Sequence, residues 1–153
     1  MTTAADPRAR DALGRPLDSG AADEGHGVDV DATRSPVEAL ETAQLLLDSG
    51  FPFAAHEVLE ARWKQCPEVE RPLWQGLAQA CVAVTHAARG NAVGAHRLSE
   101  RARMTLADAS PAVWEAIGVE RTSIDRWIID MLHALESDGL PRADLPLLRM
   151  LGP

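Results

Sequence analysis

Apolar residues recur at helical spacing through most of the chain from Ser35 onward. Leu40, Ala43 and Leu47 follow one another at the three-to-four-residue interval of an amphipathic helix. No segment shows the strict alternation typical of a strand, so the pattern predicts an all-α protein. A longer apolar stripe with the same spacing is formed by Ile124, Trp127, Ile128, Met131, Leu132 and Leu135.

Capping residues, prolines and glycines divide this pattern into six predicted helices. Ser35 and Ser110 each precede a proline, which is a preferred way to begin a helix. Gly50 and Gly118 end the two helices that start there, and Pro67 interrupts the chain after the second helix. The predicted helices cover about 36–49, 52–65, 72–89, 92–108, 111–117 and 122–137.

The predicted third helix, residues 72–89, is the apolar centre of the chain. It carries no charged residue from Pro72 to Ala88, and a helix without charge on any face is expected to be buried on all sides. Short loops make consecutive helices antiparallel neighbours. We therefore expect a single compact bundle of about five to six antiparallel helices around this segment.

The chain is expected to divide into a disordered segment, residues 1–34, and one helical domain, residues 35–153. The first segment has few large apolar residues and no periodicity, so it cannot bury enough surface to offset the entropy of ordering. The remaining length fits one domain with a core of its own. Prolines in the last 14 residues predict an irregular tail that lies over the domain.

Charge and cysteine content argue against several classes of function. The 153 residues include 15 basic and 23 acidic side chains, giving a net charge of −8. This acidity argues against general nucleic-acid binding. The chain has no apolar run long enough for a membrane helix and no apolar signal segment, and Cys66 and Cys81 lack a metal-type spacing. We expect a cytoplasmic protein with reduced thiols that does not bind membranes, and a homodimer remains open.

Two helical stripes carry the candidate chemistry. Phe53, His56, Glu60 and Trp63 share one face of the second helix, and His56 and Glu60 are one turn apart. If the second and third helices form a hairpin, this face can meet a polar stripe of the third, where buried polar groups would require partners. The predicted polar cluster consists of His56, Glu60, Trp63, Gln75, Gln79 and His86.

The motifs around these residues resemble a known family. H-E-V-L-E-A-R-W, then W-Q-G-L-A-Q-A, then H-A-A-R-G-N-A-V-G-A-H-R-L is similar to the domain of unknown function 309 family of bacteria and archaea. That family has a histidine, a glutamate four residues on and a tryptophan three further, followed by a Q-G-L-I-Q-like segment and an R-G-N-x-x-G-A turn. The resemblance covers about residues 51–106 and implies a small all-helical domain with no established activity. Ala78 stands where the family usually has isoleucine.

Three interpretations of the cluster stay open. His56, Glu60 and His86 are candidate ligands of a divalent metal, as in a metal-dependent hydrolase-like enzyme, although H-E-V-L-E has Glu60 where a zincin has its second histidine. A small-ligand pocket is a second interpretation. The third is a structural network in which Glu60 orients His56 and the glutamines complete the hydrogen bonds. The sequence leaves open whether the protein is an enzyme.

A helix-hairpin interaction module is a further alternative. The G-N-x-x-G-A turn resembles the helix pairs of tetratricopeptide arrays, but the chain lacks a 34-residue repeat. Exposed tryptophans could anchor a partner, although a tryptophan at helical spacing usually belongs to the core. On the fourth helix, Arg97, Arg101 and Arg103 are expected to lie mostly on the outer face, either solvated or as an anion-binding patch.

Overall fold

The computed structural model describes residues 26–136 and 147–151, and within them it contains six α-helices and no strand. This confirms the predicted all-α bundle. The second and fifth helices have the predicted bounds, and the others differ by one residue or two. The helices are α1 (Pro36–Asp48), α2 (Pro52–Gln65), α3 (Arg71–Ala88), α4 (Ala92–Ala107), α5 (Pro111–Ile117) and α6 (Arg121–Glu136), with a 3₁₀ turn at Glu68–Glu70.

The helix starts follow the capping signals of the sequence. The hydroxyl of Ser35 accepts a hydrogen bond from the backbone N–H of Glu38, whose carboxylate accepts one from the Ser35 N–H. This reciprocal pair satisfies two backbone donors at the start of α1. Ser110 caps α5 with a single bond, in which its hydroxyl accepts from the N–H of Val113 at 3.4 Å. Local sequence therefore determines where these two helices begin.

Neighbouring helices pack in chain order around one core. α1 packs on α2, α2 on α3 and α3 on α4, and α6 then packs on α4. Three of the four tryptophans lie in the core, since Trp74, Trp114 and Trp127 are buried. These three tryptophans therefore cannot serve as exposed anchors for a partner.

α3 is central, as predicted, but it is not buried on all sides. Leu73, Leu77 and Cys81 are fully buried, whereas the opposite stripe is half-buried. A layer of helices covers the flanks of α3 and leaves one narrow face near the surface, which explains why amides and an imidazole are tolerated there. The members of this stripe are Gln75, Gln79, Val82 and His86.

The segment 147–151 near the C-terminus closes the bundle against α1. The Gln44 side-chain amide donates to the Leu148 carbonyl at 3.1 Å and accepts from the Met150 N–H at 2.9 Å. The Met150 carbonyl in turn accepts from the N–H of Glu120, just before α6. A tail lying over the domain is thus observed for residues 147–151, and the rest of the predicted tail lies outside the described residues.

Residues 26–34 form a loop that lies against the domain. Val28 and Val30 pack on the core, and the His26 ring contacts Phe51 edge-on at 5.5 Å. Residues 1–25 lie outside the described residues. The division of the chain at residue 34 therefore stays a prediction, although the helical part does begin after Ser35.

Candidate functional site

His56 and Glu60 form an ion-pair-type contact along α2. The Nε2 atom of His56 lies 3.2 Å from the Glu60 carboxylate, and Lys64 approaches the same carboxylate at 3.4 Å. The three residues follow at intervals of four, which places them on one helix face. The His56 side chain is 18% exposed and that of Glu60 is 37% exposed. The predicted contact is present, but it lies at the surface of the domain.

The environment of His56 favours its neutral form. Burial lowers the pKa of His56, and the Glu60 carboxylate and the Phe53 backbone oppose that shift only in part. The Glu60 carboxylate lies 3.2 Å from Nε2, where its negative charge favours a proton on that nitrogen. The Nδ1 atom is buried inside the protein. The Phe53 ring is also near, 5.1 Å from the imidazole.

Trp63, Gln75 and Gln79 make no hydrogen bond to this pair within the described residues. Trp63 is half-buried, and the Arg71 guanidinium lies 4.9 Å over its ring. Gln75 and Gln79 are half-buried on α3. Trp63 Nε1 and Gln79 Oε1 are buried atoms with no hydrogen-bond partner among the residues that the structure describes. The network that the glutamines were expected to complete is therefore not seen there.

His86 belongs to the turn between α3 and α4. The Asn91 side-chain amide donates to His86 Nδ1 at 3.1 Å, and its oxygen accepts from the Gly94 N–H at 2.9 Å, which caps α4. Gly90 has φ +80, and a Cβ on Gly94 would come within 2.8 Å of the His86 ring. Burial, then the charges of Arg89 and Arg97, lower the pKa of His86. The R-G-N-x-x-G motif therefore builds a helix–helix turn.

The three metal-ligand candidates do not converge. No group of three or more His, Cys, Asp or Glu side chains suited to a metal ion occurs in residues 26–136 and 147–151. His56 and Glu60 contact each other, whereas His86 is engaged with Asn91 in the turn that follows α3. The arrangement supplies two neighbouring ligands from one helix turn, and structural zinc sites use four.

A second polar cluster was missed by the sequence analysis. The Glu70 carboxylate accepts from Trp74 Nε1 at 2.9 Å and from Arg62 at 3.3 Å. The Arg62 guanidinium also lies 5.6 Å over the Trp74 ring, and its Nη1 reaches the Arg34 carbonyl at 3.5 Å. A signal was present, since a buried tryptophan requires an acceptor and Glu70 lies one turn before Trp74.

The fold and these clusters define a class of protein: a small helical bundle with a half-buried His–Glu pair and a capped helix–helix turn. Residues 40–98 match the family model described as Domain of unknown function (DUF309), so this part of the chain is similar to that family. The match confirms the resemblance seen in the sequence. Comparisons with curated proteins and with solved structures give no match.

Among the described residues, none of the helices is both long and apolar enough to cross a membrane.

Proposed function

We propose that this domain is a non-catalytic helical scaffold, in which the His56–Glu60 pair holds the surface of α2 in place. The observation that carries the proposal is the orientation of the His56 ring. Its outer nitrogen, Nε2, faces the Glu60 carboxylate at an ion-pair distance of 3.2 Å, and its other nitrogen is buried. A general base or metal ligand needs a free nitrogen that a substrate or an ion can reach.

The charges around the pair support the same interpretation. Glu60 has His56 on one side and Lys64 on the other, so its carboxylate oxygens each face a donor of its own helix. A carboxylate used in this way stabilises a helix by a few tenths of a kcal/mol, which is about the strength of a typical i,i+4 pair. His56, Glu60 and Lys64 therefore stabilise α2 slightly and fix the positions of the side chains on its surface.

The cytoplasm is the compartment that we propose for this scaffold. Cys66 and Cys81 are both unpaired, and Cys81 is fully buried. Burial raises the pKa of both thiols, and for Cys66 the nearby Glu70 carboxylate adds to the shift. Unreactive, protonated thiols are compatible with a reducing compartment.

Metal binding and stability, measured on the same variants, test the proposal. We would record thermal unfolding of the wild type, His56→Gln and Glu60→Gln with and without Zn²⁺, Mn²⁺ and Fe²⁺, and determine bound metal by elemental analysis. The scaffold predicts that both substitutions lower the melting temperature slightly and that the metal-induced shift is the same in all three proteins. A ligand that binds the folded state would raise the melting temperature in proportion to its concentration over its Kd.

His133→Gln on α6 is a matched control, since this histidine is exposed and distant in sequence from the pair. A stoichiometric metal that is present in wild type and His133→Gln but lost from both other variants would overturn the proposal. So would unchanged stability of those two variants together with loss of the metal-induced shift.

A further inference from the structure

Asn91 is bonded to both of the helices that it connects. Its backbone N–H donates to the His86 carbonyl at the end of α3, at 2.8 Å. Its side-chain oxygen accepts from the Gly94 N–H in the first turn of α4 at 2.9 Å, and its side-chain nitrogen lies 3.1 Å from His86 Nδ1. Gly94 packs on both side chains, since a Cβ there would lie 2.6 Å from the Asn91 nitrogen and 2.8 Å from His86 Nδ1. The imidazole, the amide and the start of α4 therefore lie in direct contact.

The groups around the Asn91 amide determine which atoms of this contact carry protons. A backbone N–H can only donate, so the atom that faces Gly94 is the amide oxygen and the atom that faces His86 is the NH₂ group. The NH₂ group can also only donate, so His86 Nδ1 accepts and carries no proton. The two side-chain bonds of Asn91 therefore form together only when His86 is neutral, with its proton on Nε2.

Protonation of His86 removes the acceptor from this arrangement. A proton from solvent binds Nδ1, and two donors then face each other across 3.1 Å. Rotation of the amide by half a turn would bring its oxygen to His86 but its NH₂ group to the Gly94 N–H. The backbone bond from Asn91 to the His86 carbonyl keeps the two residues close together. Only one of the two side-chain bonds of Asn91 can then persist.

We propose that His86 and Asn91 form a proton-sensitive latch, in which binding of a proton to His86 releases Asn91 from the first turn of α4. The α3–α4 latch, defined as His86, Asn91 and Gly94, is closed when His86 is neutral and open when it is charged. Because Asn91 is the N-cap of α4, opening leaves the Gly94 N–H without its side-chain acceptor and frays the first turn. The latch contains neither His56 nor Glu60, so it goes beyond the scaffold proposal and is independent of it.

The surroundings of His86 keep the latch closed at neutral pH. Burial is the largest cause that lowers the pKa of His86, and the positive charges of Arg89, at the end of α3, and Arg97, on α4, lower it further. None of these causes comes from α2, which also packs on α3. Because the pKa lies below the usual 6.5, the latch opens as the pH falls below that value.

Nuclear magnetic resonance of the full chain can follow both parts of the latch in one pH titration. The His86 ring resonances report its protonation. Hydrogen exchange of the Gly94 N–H, corrected for the intrinsic effect of pH, reports the cap. As His86 takes up its proton, protection at Gly94 should fall about fivefold, which corresponds to the loss of a typical N-cap. Protection at Ile128, buried on α6, should stay unchanged and so distinguishes latch opening from global unfolding.

Asn91→Asp reverses the polarity of the latch and keeps the cap. Aspartate and asparagine are about equally good N-cap residues, but a carboxylate only accepts. The carboxylate would accept from Nδ1 of charged His86 and from the Gly94 N–H at the same time. The proton affinity of His86 should therefore rise about tenfold, and protection at Gly94 should no longer fall when His86 is protonated.

Two glutamine substitutions complete the experiment. His86→Gln keeps a side-chain acceptor that does not titrate, so protection at Gly94 should not depend on pH over the same range. His96→Gln changes an exposed histidine of α4 and is the matched control, which should retain the fall in protection seen in the wild type. Circular dichroism of every variant verifies folding, and Asn91→Asp decides the question alone if His86→Gln does not fold.

Three results would overturn the latch. The first is a wild type in which protection at Gly94 stays constant through the titration of His86. The second is an equal fall of protection in His86→Gln. The third is a fall that persists in Asn91→Asp although His86 is charged. None of these results involves metal binding or the stability of the His56 and Glu60 variants, so the scaffold proposal is tested separately.

Discussion

Two polar clusters of similar composition lie on α2, and they differ in what they connect. His56, Glu60 and Lys64 interact along a single helix, at a face where the Glu60 side chain is 37% exposed. Arg62 instead reaches out of α2 to Glu70, in the turn before α3, and both side chains are less exposed, at 15% and 20%. Glu70 then accepts from the indole of the fully buried Trp74.

The two clusters differ in how much each stabilises the tertiary structure. A surface pair within one helix contributes little, because water screens the charges and the helix would form without it. A carboxylate that joins α2 to α3 and also satisfies a buried indole leaves two groups without a partner when it is removed. The prominent H-x-x-x-E motif therefore marks the weaker of the two clusters.

The largest loss in the free energy of unfolding is expected from substitution of a fully buried apolar residue. Leu77→Ala deletes side-chain atoms from a site with no solvent exposure, and it should destabilise by about 2–5 kcal/mol. Denaturant unfolding measures the change, with Leu45→Ala at a 62% exposed position as the control. A change below about 1 kcal/mol would contradict the central position of α3.

Glu70→Gln should have the largest effect among the polar substitutions. The amide keeps an acceptor for Trp74 but removes the charge that faces Arg62, so we expect a loss of about 1–3 kcal/mol in the free energy of unfolding. Glu68→Gln, in the same 3₁₀ turn but exposed, is the matched control and should be near neutral. Equal effects of the two variants would show that the Arg62–Glu70–Trp74 cluster does not stabilise the fold.

The His56–Glu60 pair should be measurably weaker. With Glu60 exposed by more than a third, screening limits the effect of Glu60→Gln to less than about 1 kcal/mol. A double-mutant cycle with His56→Gln should give a coupling energy of about 0.3–0.5 kcal/mol. A coupling energy above that of an equivalent Arg62–Glu70 cycle would reverse the order proposed for the two clusters.

The free energy of unfolding should depend on pH through two histidines, His56 and His86. His56 and His86 have lowered pKa values in the folded state, so the unfolded chain binds more protons below its histidine pKa of 6.5. Stability is fully present above that pH and declines as the pH falls through 6.5 toward the folded-state values. Replacing both histidines with glutamine should flatten the dependence of the unfolding free energy on pH as the pH falls through 6.5, as measured by denaturant unfolding over a pH series.

The smallest effect is expected from removal of residues 1–25, which should leave the melting temperature unchanged. Removal of residues 1–34 also takes away Val28 and Val30, which pack on the core, and the Arg34 carbonyl, which accepts from Arg62 at 3.5 Å, so we expect a loss of about 1–3 kcal/mol. Thermal unfolding of both truncations measures the difference. A clear loss of stability on removal of residues 1–25 alone would contradict this order.

The positions of the helices follow from local sequence signals. Ser35 with Glu38, Ser110 with Pro111, and the left-handed Gly118 act within a few residues of where they stand, so their effect can be predicted without the fold. The uncharged stretch after Pro72 likewise identified α3 as the centre. The contact between His56 and Glu60 was predictable because both belong to one helix face.

Which polar groups are buried, and what they contact, depends on how the helices pack together. Arg62, Glu70 and Trp74 meet because a 3₁₀ turn brings α2 back onto α3, and Gln44 binds Leu148 and Met150 more than 100 residues away. Helical periodicity describes the face of one helix, but it contains no information on which other helix covers that face. For the same reason the sequence placed His86 with His56, whereas the α3–α4 turn engages it with Asn91.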